Sequence, residues 1–304
     1  MSEPVHIIGA SGRSGTALRR ALLARGRPVI PVVRDRTRYE TSLATDKGSS
    51  SGPLLHPPRI ADLTGPSAPL ATALADAKTI VCTAHARNIP ALIRAAPETA
   101  RLVCLGSTRK FTHWPDSHGN GVLHGEQALL ASGRNGVILH PTMIYGAQGE
   151  NNVQRLAALL RRLPLIPLPG GGTSLVQPIH QNDVTASIIA ALDHDWNGPH
   201  SLVIAGATPV TYRDFVLLVA RAAGLAPRPV IPVPARALIA AASVLRHVPG
   251  FPAIGPDEIR RLLEDKNFDI IPMIETLGVK PRSLLIGLGQ LFSADTKNAS
   301  PSKT

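Results

Sequence analysis

An α/β chain built on a doubly wound parallel sheet is predicted by three observations on these 304 residues. A short apolar run near the start closes on a glycine-rich turn, and a helix-like stretch follows it. A second strand-like run begins about a dozen residues beyond that helix. Strand-like and helix-like segments then alternate as far as residue 139, the pattern of parallel strands joined by crossover helices.

Each element follows from local chemistry. Val5–Gly9 is apolar and ends on glycine, so it reads as the first strand, and Thr16–Arg25 as the first helix. Val29–Val33 is the second strand, rich in β-branched residues and ending in Arg34-Asp35. Residues 43–58 are rich in Gly, Ser and Pro, contain Gly48-Ser49-Ser50-Ser51-Gly52, and are expected to form a mobile insertion. Arg59–Asp62, Thr79–Ala84, Arg101–Gly106 and Gly136–Leu139 read as further strands. Leu70–Ala75, Ile89–Ala96 and Gly125–Ser132 read as the helices between them.

After Gly146 the texture changes. Asn152–Leu163 is a basic amphipathic helix, and a proline-punctuated extended segment runs from Leu163 to Pro169 before Gly170-Gly171-Gly172. Asp183–Leu192 is a helix whose first carboxylate suits the helix dipole. His200–Ile204 is a strand, Tyr212–Ala223 a helix, Pro229–Pro234 extended, and Pro256–Asp265 a helix with a charged face. The expected division is a main domain over residues 1–150, with parts of 151–205 completing its sheet. A smaller lobe occupies most of 151–292, and Ser293–Thr304 forms a polar, disordered tail.

Ordinary apolar content and this length allow a full core. The net charge of +11 suits an anionic ligand, an acidic surface or nucleic acid. No zinc-finger spacing, aromatic RNA-binding strand or dense basic tract accompanies it, so nucleic acid is not the expected partner. No stretch is long and apolar enough to span a bilayer, and no secretory leader is evident. A cytoplasmic protein with two buried free thiols, Cys82 and Cys104, is expected. The apolar helix Ala235–Leu245 has Arg236, Arg246 and His247 beside it. It reads chiefly as a core helix of the smaller lobe, and otherwise as a face for an anionic membrane or a protein partner.

The glycine-rich turn is Gly9-Ala10-Ser11-Gly12-Arg13-Ser14-Gly15. Gly9 allows the tight turn, Gly12 lets the backbone approach a pyrophosphate, and Gly15 lets the helix pack on the strand. The free N–H groups of the helix start then favour the anion. This is the geometry of a Rossmann-type dinucleotide site. An acidic residue after the second strand binds a ribose diol, whereas an arginine there pairs with a 2′-phosphate. Arg34, with Arg13 in the loop, therefore favours NADP, while Asp35 keeps NAD open.

Further motifs follow in order: Asp62-Leu63-Thr64, Leu105-Gly106-Ser107-Thr108, His140-Pro141-Thr142-Met143-Ile144-Tyr145-Gly146 and Gln177-Pro178-Ile179-His180-Gln181-Asn182-Asp183-Val184. With these, the chain over roughly residues 4–290 resembles the extended and atypical short-chain dehydrogenases/reductases, the superfamily of nucleotide-sugar epimerases and dehydratases. In texture it is closest to the atypical branch that includes a complex I accessory subunit. The resemblance implies that Asp62 and Leu63 flank the adenine, and that Thr83 and Ala84 line the cofactor ribose. It also implies that Pro141 and Thr142 pass near the nicotinamide. Tyr145, Asn151, Gln177 and His180 would then face a small-molecule substrate, with Asp183 closing the cleft.

Catalysis in this superfamily uses a Ser or Thr with a Tyr-x-x-x-Lys pair, the phenol moving the proton. Ser107 matches the serine, but none of Tyr39, Tyr145 and Tyr212 begins such a motif. Registering on Glu126 places Asn120 at the tyrosine position and His124 at the lysine position. His124, or His118 nearby, is therefore the candidate proton donor. The alternative is a site that keeps the cofactor for sensing or scaffolding without redox chemistry. His113, His118 and His124 lack partners with ligand spacing, so no metal is expected and a solvated loop is the plainer reading.

Overall fold

The computed structural model describes residues 3–44, 52–146, 152–245 and 256–299. Its first half runs β1 (Val5–Ile8), α1 (Arg13–Leu23), β2 (Val29–Val33), α2 (Arg36–Ala44), β3 (Arg59–Ile60), α3 (Ser67–Leu74), β4 (Thr79–Cys82), α4 (Ile89–Ala95), β5 (Arg101–Leu105), α5 (Ser117–Ala131) and β6 (Gly136–Pro141). The second half runs β7 (Ile144–Tyr145), α6 (Asn152–Arg162), β8 (Ile166–Pro169), β9 (Leu175–Val176), β10 (Ile179–His180), α7 (Gln181–Asp193), β11 (Pro199–Ile204), β12 (Val210–Thr211), α8 (Tyr212–Ala222), β13 (Val230–Val233), α9 (Ala235–Leu245), α10 (Pro256–Arg261), α11 (Ile271–Leu277) and α12 (Leu284–Ala299).

Seven strands form one parallel sheet in the order β11-β6-β5-β4-β1-β2-β3. Helices cover both faces, which is why the central strands β2, β4 and β5 are largely apolar instead of alternating with polar residues. On β5, Val103 and Leu105 meet the layer of α1, α7 and α11, while Leu102 and Cys104 meet the layer of α3, α4 and α5. The fold is the Rossmann-type doubly wound α/β arrangement. Its strand order reverses between β1 and β4, which opens a crevice at the carboxyl ends of the strands.

The chain leaves this domain after β6 and returns twice. α7 and β11 cover and extend the sheet, and α11 brings Met273 and Leu277 into the same core. A separate apolar cluster holds the smaller lobe, drawing Val153, Ala157 and Leu160 from α6, Phe215, Val216 and Val219 from α8, and Leu284, Leu288 and Leu291 from α12.

Several elements depart from the sequence reading. α2 was not anticipated, because Tyr39 is its one buried residue and no apolar stripe marks it. Part of the expected mobile insertion is paired: the Val29 N–H donates to Leu54 (2.8 Å) and the His56 N–H donates to Val29 (2.9 Å), while 45–51 lie outside the described residues. α5 begins at Ser117, two turns before the expected Gly125, because Asp116 caps it by accepting from the Gly119 N–H at 2.8 Å. The tail expected to be disordered from Ser293 is helical to Ala299, and 300–304 lie outside the described residues. In α9 none of Ala235–Ala241 is buried, so over these residues it is a surface helix against α10 and β8, not a core helix. Arg246 and His247 lie outside the described residues. No helix among the described residues is long and apolar enough to cross a membrane.

Candidate cofactor and active site

The glycine turn sits at the carboxyl end of β1, on the crevice. Gly9 has φ +82°, and a Cβ there would lie 2.7 Å from Thr83 Oγ1. Thr83 pins the turn from β4 by donating Oγ1–H to the carbonyls of Ile8 (3.0 Å) and Gly9 (3.2 Å). A Cβ on Gly15 would stand 2.2 Å from the Gly9 carbonyl oxygen, so only glycine lets α1 approach β1 this closely. Gly12 is the N-cap of α1. It offers no capping side chain, and the first turn holds no acidic residue. The opening N–H groups of an α-helix have no partner within the helix. Here they face a loop where Ser11 is half-buried and Gly12 and Arg13 are exposed. Ser14 Oγ donates to Gln181 Oε1 (3.1 Å), tying the helix start to α7.

Arg34 is exposed at the end of β2. Asp62 sits close by, and its carboxylate accepts from the Thr64 N–H (2.9 Å) and hydroxyl (2.8 Å). Those two bonds, with Arg34 contributing, hold its pKa below the usual range. Asp35 caps α2, accepting from the Arg38 N–H at 3.0 Å. Leu63 is buried in the core under α3 and does not line the cavity. Ala84, just past β4, is half-buried.

A cavity of about 650 Å³ opens from the helix start of α1 between the sheet edge and the smaller lobe. Volumes of this order accommodate drug-sized ligands. Arg13, Ser14, Ser107, His118, Pro141 and Thr142 line its sheet side, and Gln177, Tyr212, Arg261, Glu264, Lys266 and Phe268 line its lobe side. Ser107 follows β5. Its Oγ accepts from the Arg109 N–H (3.2 Å), which leaves the hydroxyl proton for a ligand. Its own N–H donates to Nδ1 of His140 (3.2 Å), a fully buried imidazole.

Beneath Ser107 lies a buried polar cluster. Glu126 on α5 accepts from Lys110 Nζ (2.5 Å) and from the Ser201 hydroxyl, and Nε2 of His140 stands 3.2 Å from the same carboxylate oxygen. Burial alone would raise the Glu126 pKa, but the imidazole, the ammonium and the hydroxyl outweigh it and hold it at about 2. Burial, with the Lys110 charge, pushes the His140 imidazole below its ordinary value.

Of the two histidines that the sequence offers as proton donor, His124 and His118, the structure sets only His118 at the cavity. His124 is exposed and does not line the cavity, because the inward face of α5 carries Gly119, Val122, Gly125, Glu126 and Leu129. Asn120 is exposed as well. Two histidines line the cavity, the exposed His113 before α5 and the half-buried His118 on it; one turn beyond His118, at the lysine spacing, stands Val122, buried in the core. His118 belongs to a helix and not to a solvated loop. Sequence reasoning also missed His85, whose Nε2 lies 3.1 Å from Nδ1 of His118. The available signal was its place just past β4, at the carboxyl edge where such sheets bind ligands.

The expected substrate residues of the lobe are largely structural. Tyr145 is buried among the lobe's apolar residues, edge-on to His180 and packed on Gly287 of α12. Burial raises the pKa of its phenol well above the ordinary value. His180 caps α7, with Nδ1 accepting from the Asn182 N–H at 3.1 Å. Burial, with Arg282 nearby, lowers its pKa to about 4. Neither residue lines the cavity. Gln177 does, but its amide is committed: it donates to the carbonyls of Gly206 (2.8 Å) and Phe268 (3.2 Å) and accepts from the Phe268 N–H (2.8 Å). Thr142 likewise donates its hydroxyl to the Gln177 carbonyl. Asp183 does not close the cleft, since it is buried against Arg282 at 2.9–3.0 Å. Asn151 lies outside the described residues. Among the described residues no group of three His, Cys, Asp or Glu side chains is placed to hold a metal ion.

Comparison with solved structures shows the same fold across nearly the whole chain. UDP-glucuronic acid 4-epimerase from Bacillus cereus, in complex with UDP-glucuronic acid and NAD, superposes with a TM-score of 0.71 at 14% identity, covering 97% of this chain and 100% of that one. DesIV, a dTDP-glucose 4,6-dehydratase from Streptomyces venezuelae with NAD and TYD bound, gives 0.70 at 16% identity over 97% and 98%. The NADPH-dependent quinone oxidoreductase QOR2 from Escherichia coli, complexed with NADPH, gives 0.69 at 17% identity over 95% and 99%. No family model and no curated protein matches the sequence. The chain thus has the fold of the short-chain dehydrogenase/reductase and epimerase/dehydratase enzymes, here with a histidine on α5 at the cavity.

Proposed function

We propose that this protein binds a nicotinamide dinucleotide, NADP in preference to NAD, and uses it for oxidoreductase chemistry on a small carbonyl or alcohol. The observation that supports binding most directly is the uncapped, acid-free start of α1, set against a turn where Gly9 and Gly15 leave no room for a side chain. A pyrophosphate fits that cradle because free N–H groups and the helix dipole favour an anion. Gly9, Ser11, Gly12, Arg13, Ser14 and Gly15 would hold the pyrophosphate. Asp62 and the Leu63 backbone would border the adenine, with Thr83 and Ala84 against the ribose. Ser107, Pro141 and Thr142 would border the nicotinamide.

The NADP preference rests on Arg34 and Arg13. Both are exposed, and neither is held in an ion pair among the described residues, whereas Asp35 is occupied in capping α2. When bound, the cofactor supplies or accepts the hydride. The chain's part is to orient the partner molecule at Ser107 and to exclude water with the lobe. A non-catalytic cofactor sensor is the second reading, favoured by Val122 standing where a lysine would hold the ribose. Titration calorimetry with NADPH, followed by hydride transfer to a panel of carbonyls, tests the proposal. Binding with turnover supports the enzyme, binding without turnover supports the sensor, and no binding refutes both.

A further inference from the structure

The turn after β4 and the first turn of α5 bring two imidazoles into direct contact. His85 Nε2 and His118 Nδ1 are 3.1 Å apart, with the rings edge-on at 4.3 Å between centroids. The approach is built into the backbone: a Cβ on Gly121 would stand 3.1 Å from His85 Cε1, and one on Gly125 would stand 2.0 Å from the Ala86 carbonyl oxygen. The direction of the hydrogen bond follows from a third group. The Arg87 backbone N–H, which can only donate, points at His85 Nδ1 at 3.1 Å. A neutral His85 then carries its proton on Nε2 and donates it to His118 Nδ1, so a neutral His118 carries its own proton on Nε2. The Arg87 guanidinium also approaches His85 Nε2, but at a longer 3.4 Å.

We propose that His85 and His118 form a fixed-tautomer pair in which His118 presents Nε2–H to a ligand oxygen in the cavity, beside the free hydroxyl proton of Ser107. This deepens the function proposed above. His118 is the catalytic donor, and His85 is a positioning residue acting through it. The ligand class is a carbonyl, or any group with an oxygen that gains negative charge. Two donors on one cavity suit stabilisation of a developing alkoxide: hydride from the dinucleotide would reach the carbonyl carbon, the two hydrogen bonds would hold the oxygen as it gains charge, and water would supply the proton that completes the alcohol.

Charged groups around the pair keep it neutral. Arg87 faces it from the turn after β4, Arg109 from the turn after β5, and Arg261 from α10, against the carboxylate of Asp116. Burial comes first and these cations add to it, lowering His85 to about 4 and His118 below its ordinary value.

The test is imidazole ¹⁵N NMR of the full chain between about pH 5 and about pH 8. His118 in the wild type should carry its proton on Nε2 while neutral, and should stay neutral to lower pH than an ordinary imidazole. In His85→Ala it should exchange between tautomers, and in His85→Gln, whose amide N–H can replace the donor, it should return toward the wild-type state. A wild-type His118 protonated on Nδ1, or one unchanged in His85→Ala, overturns the inference. With phenanthrenequinone and NADPH as the probe pair, His118→Ala should lower kcat by about 100- to 1000-fold, the usual effect of removing one such donor. The NADPH affinity should be unchanged, and His118→Gln should recover part of the rate. Unchanged kcat in His118→Ala overturns the inference too. A wild type that binds no NADPH refutes the function proposed above, and the tautomer readout then decides the inference alone.

Discussion

Glu126→Gln is expected to destabilise the fold and to change how it responds to acid. In the native state Glu126 titrates at about 2, against 4.5 for the free side chain. Because folding lowers the value, the unfolded chain takes up the proton first as pH falls. The stabilisation is therefore complete above about pH 4.5 and is lost as pH drops through about 2. That gap, at about 1.4 kcal/mol per pH unit, amounts to about 3 kcal/mol. The same order follows from the structure, since the neutral amide leaves the Lys110 ammonium nearly buried without a counter-charge, a change that costs about 3–5 kcal/mol. Urea unfolding of both proteins at about pH 7 and about pH 3 measures it. The variant should lose about 3 kcal/mol at neutral pH, with a smaller difference at the acid end. A loss under about 1 kcal/mol, or parallel acid dependence in the two proteins, would show that the cluster does not carry the charge coupling assigned to it.

Three further outcomes are expected. Gly12→Val should abolish measurable NADPH binding in calorimetry, because position 12 is exposed at the helix start where the pyrophosphate would approach; its Cβ would stand 3.2 Å from the Gly9 carbonyl oxygen, so a small drop in the thermal transition should accompany the loss. Asp183→Asn should cost about 3 kcal/mol in urea unfolding by leaving Arg282 without its buried carboxylate, with NADPH affinity little changed. His124→Ala should alter neither NADPH affinity nor any turnover, since the side chain faces solvent.

The sheet was legible because a strand covered on both faces is apolar throughout. Val29–Val33 coincides with the structure for this reason; the helix Ala235–Leu245 coincides in extent, but over 235–241 it lies on the surface. α5 was shortened in the sequence reading because Gly119, Asn120 and Gly121 are poor helix formers. Tertiary contact overrides that propensity, since these small residues are what let the helix reach His85 and Ala86. Registering on Glu126 put His124 first and His118 second as the candidate donor, whereas the helix from Ser117 sets His118 on the cavity wall and Val122 in the core. Polar residues of the lobe misled for another reason. A buried Gln177 or His180 looks the same in sequence whether it fastens backbone or meets a ligand, and here each satisfies main-chain groups. His85 carried no motif at all, and only the fold brings it to His118 from 33 residues away.

The dinucleotide site is tested most directly by calorimetric affinities for NADPH and NADH, measured side by side on the wild type and on the Arg13→Ala/Arg34→Ala double variant. The wild type should prefer NADPH. Charge-assisted contacts to a 2′-phosphate are worth about 1.5–3 kcal/mol each, so the double variant should lose at least about 100-fold in NADPH affinity. NADH affinity should change by less than about 5-fold, under about 1 kcal/mol. No binding of either dinucleotide to the wild type would contradict the reading of the glycine turn, and equal losses for both would reassign the two arginines to general attraction of anions.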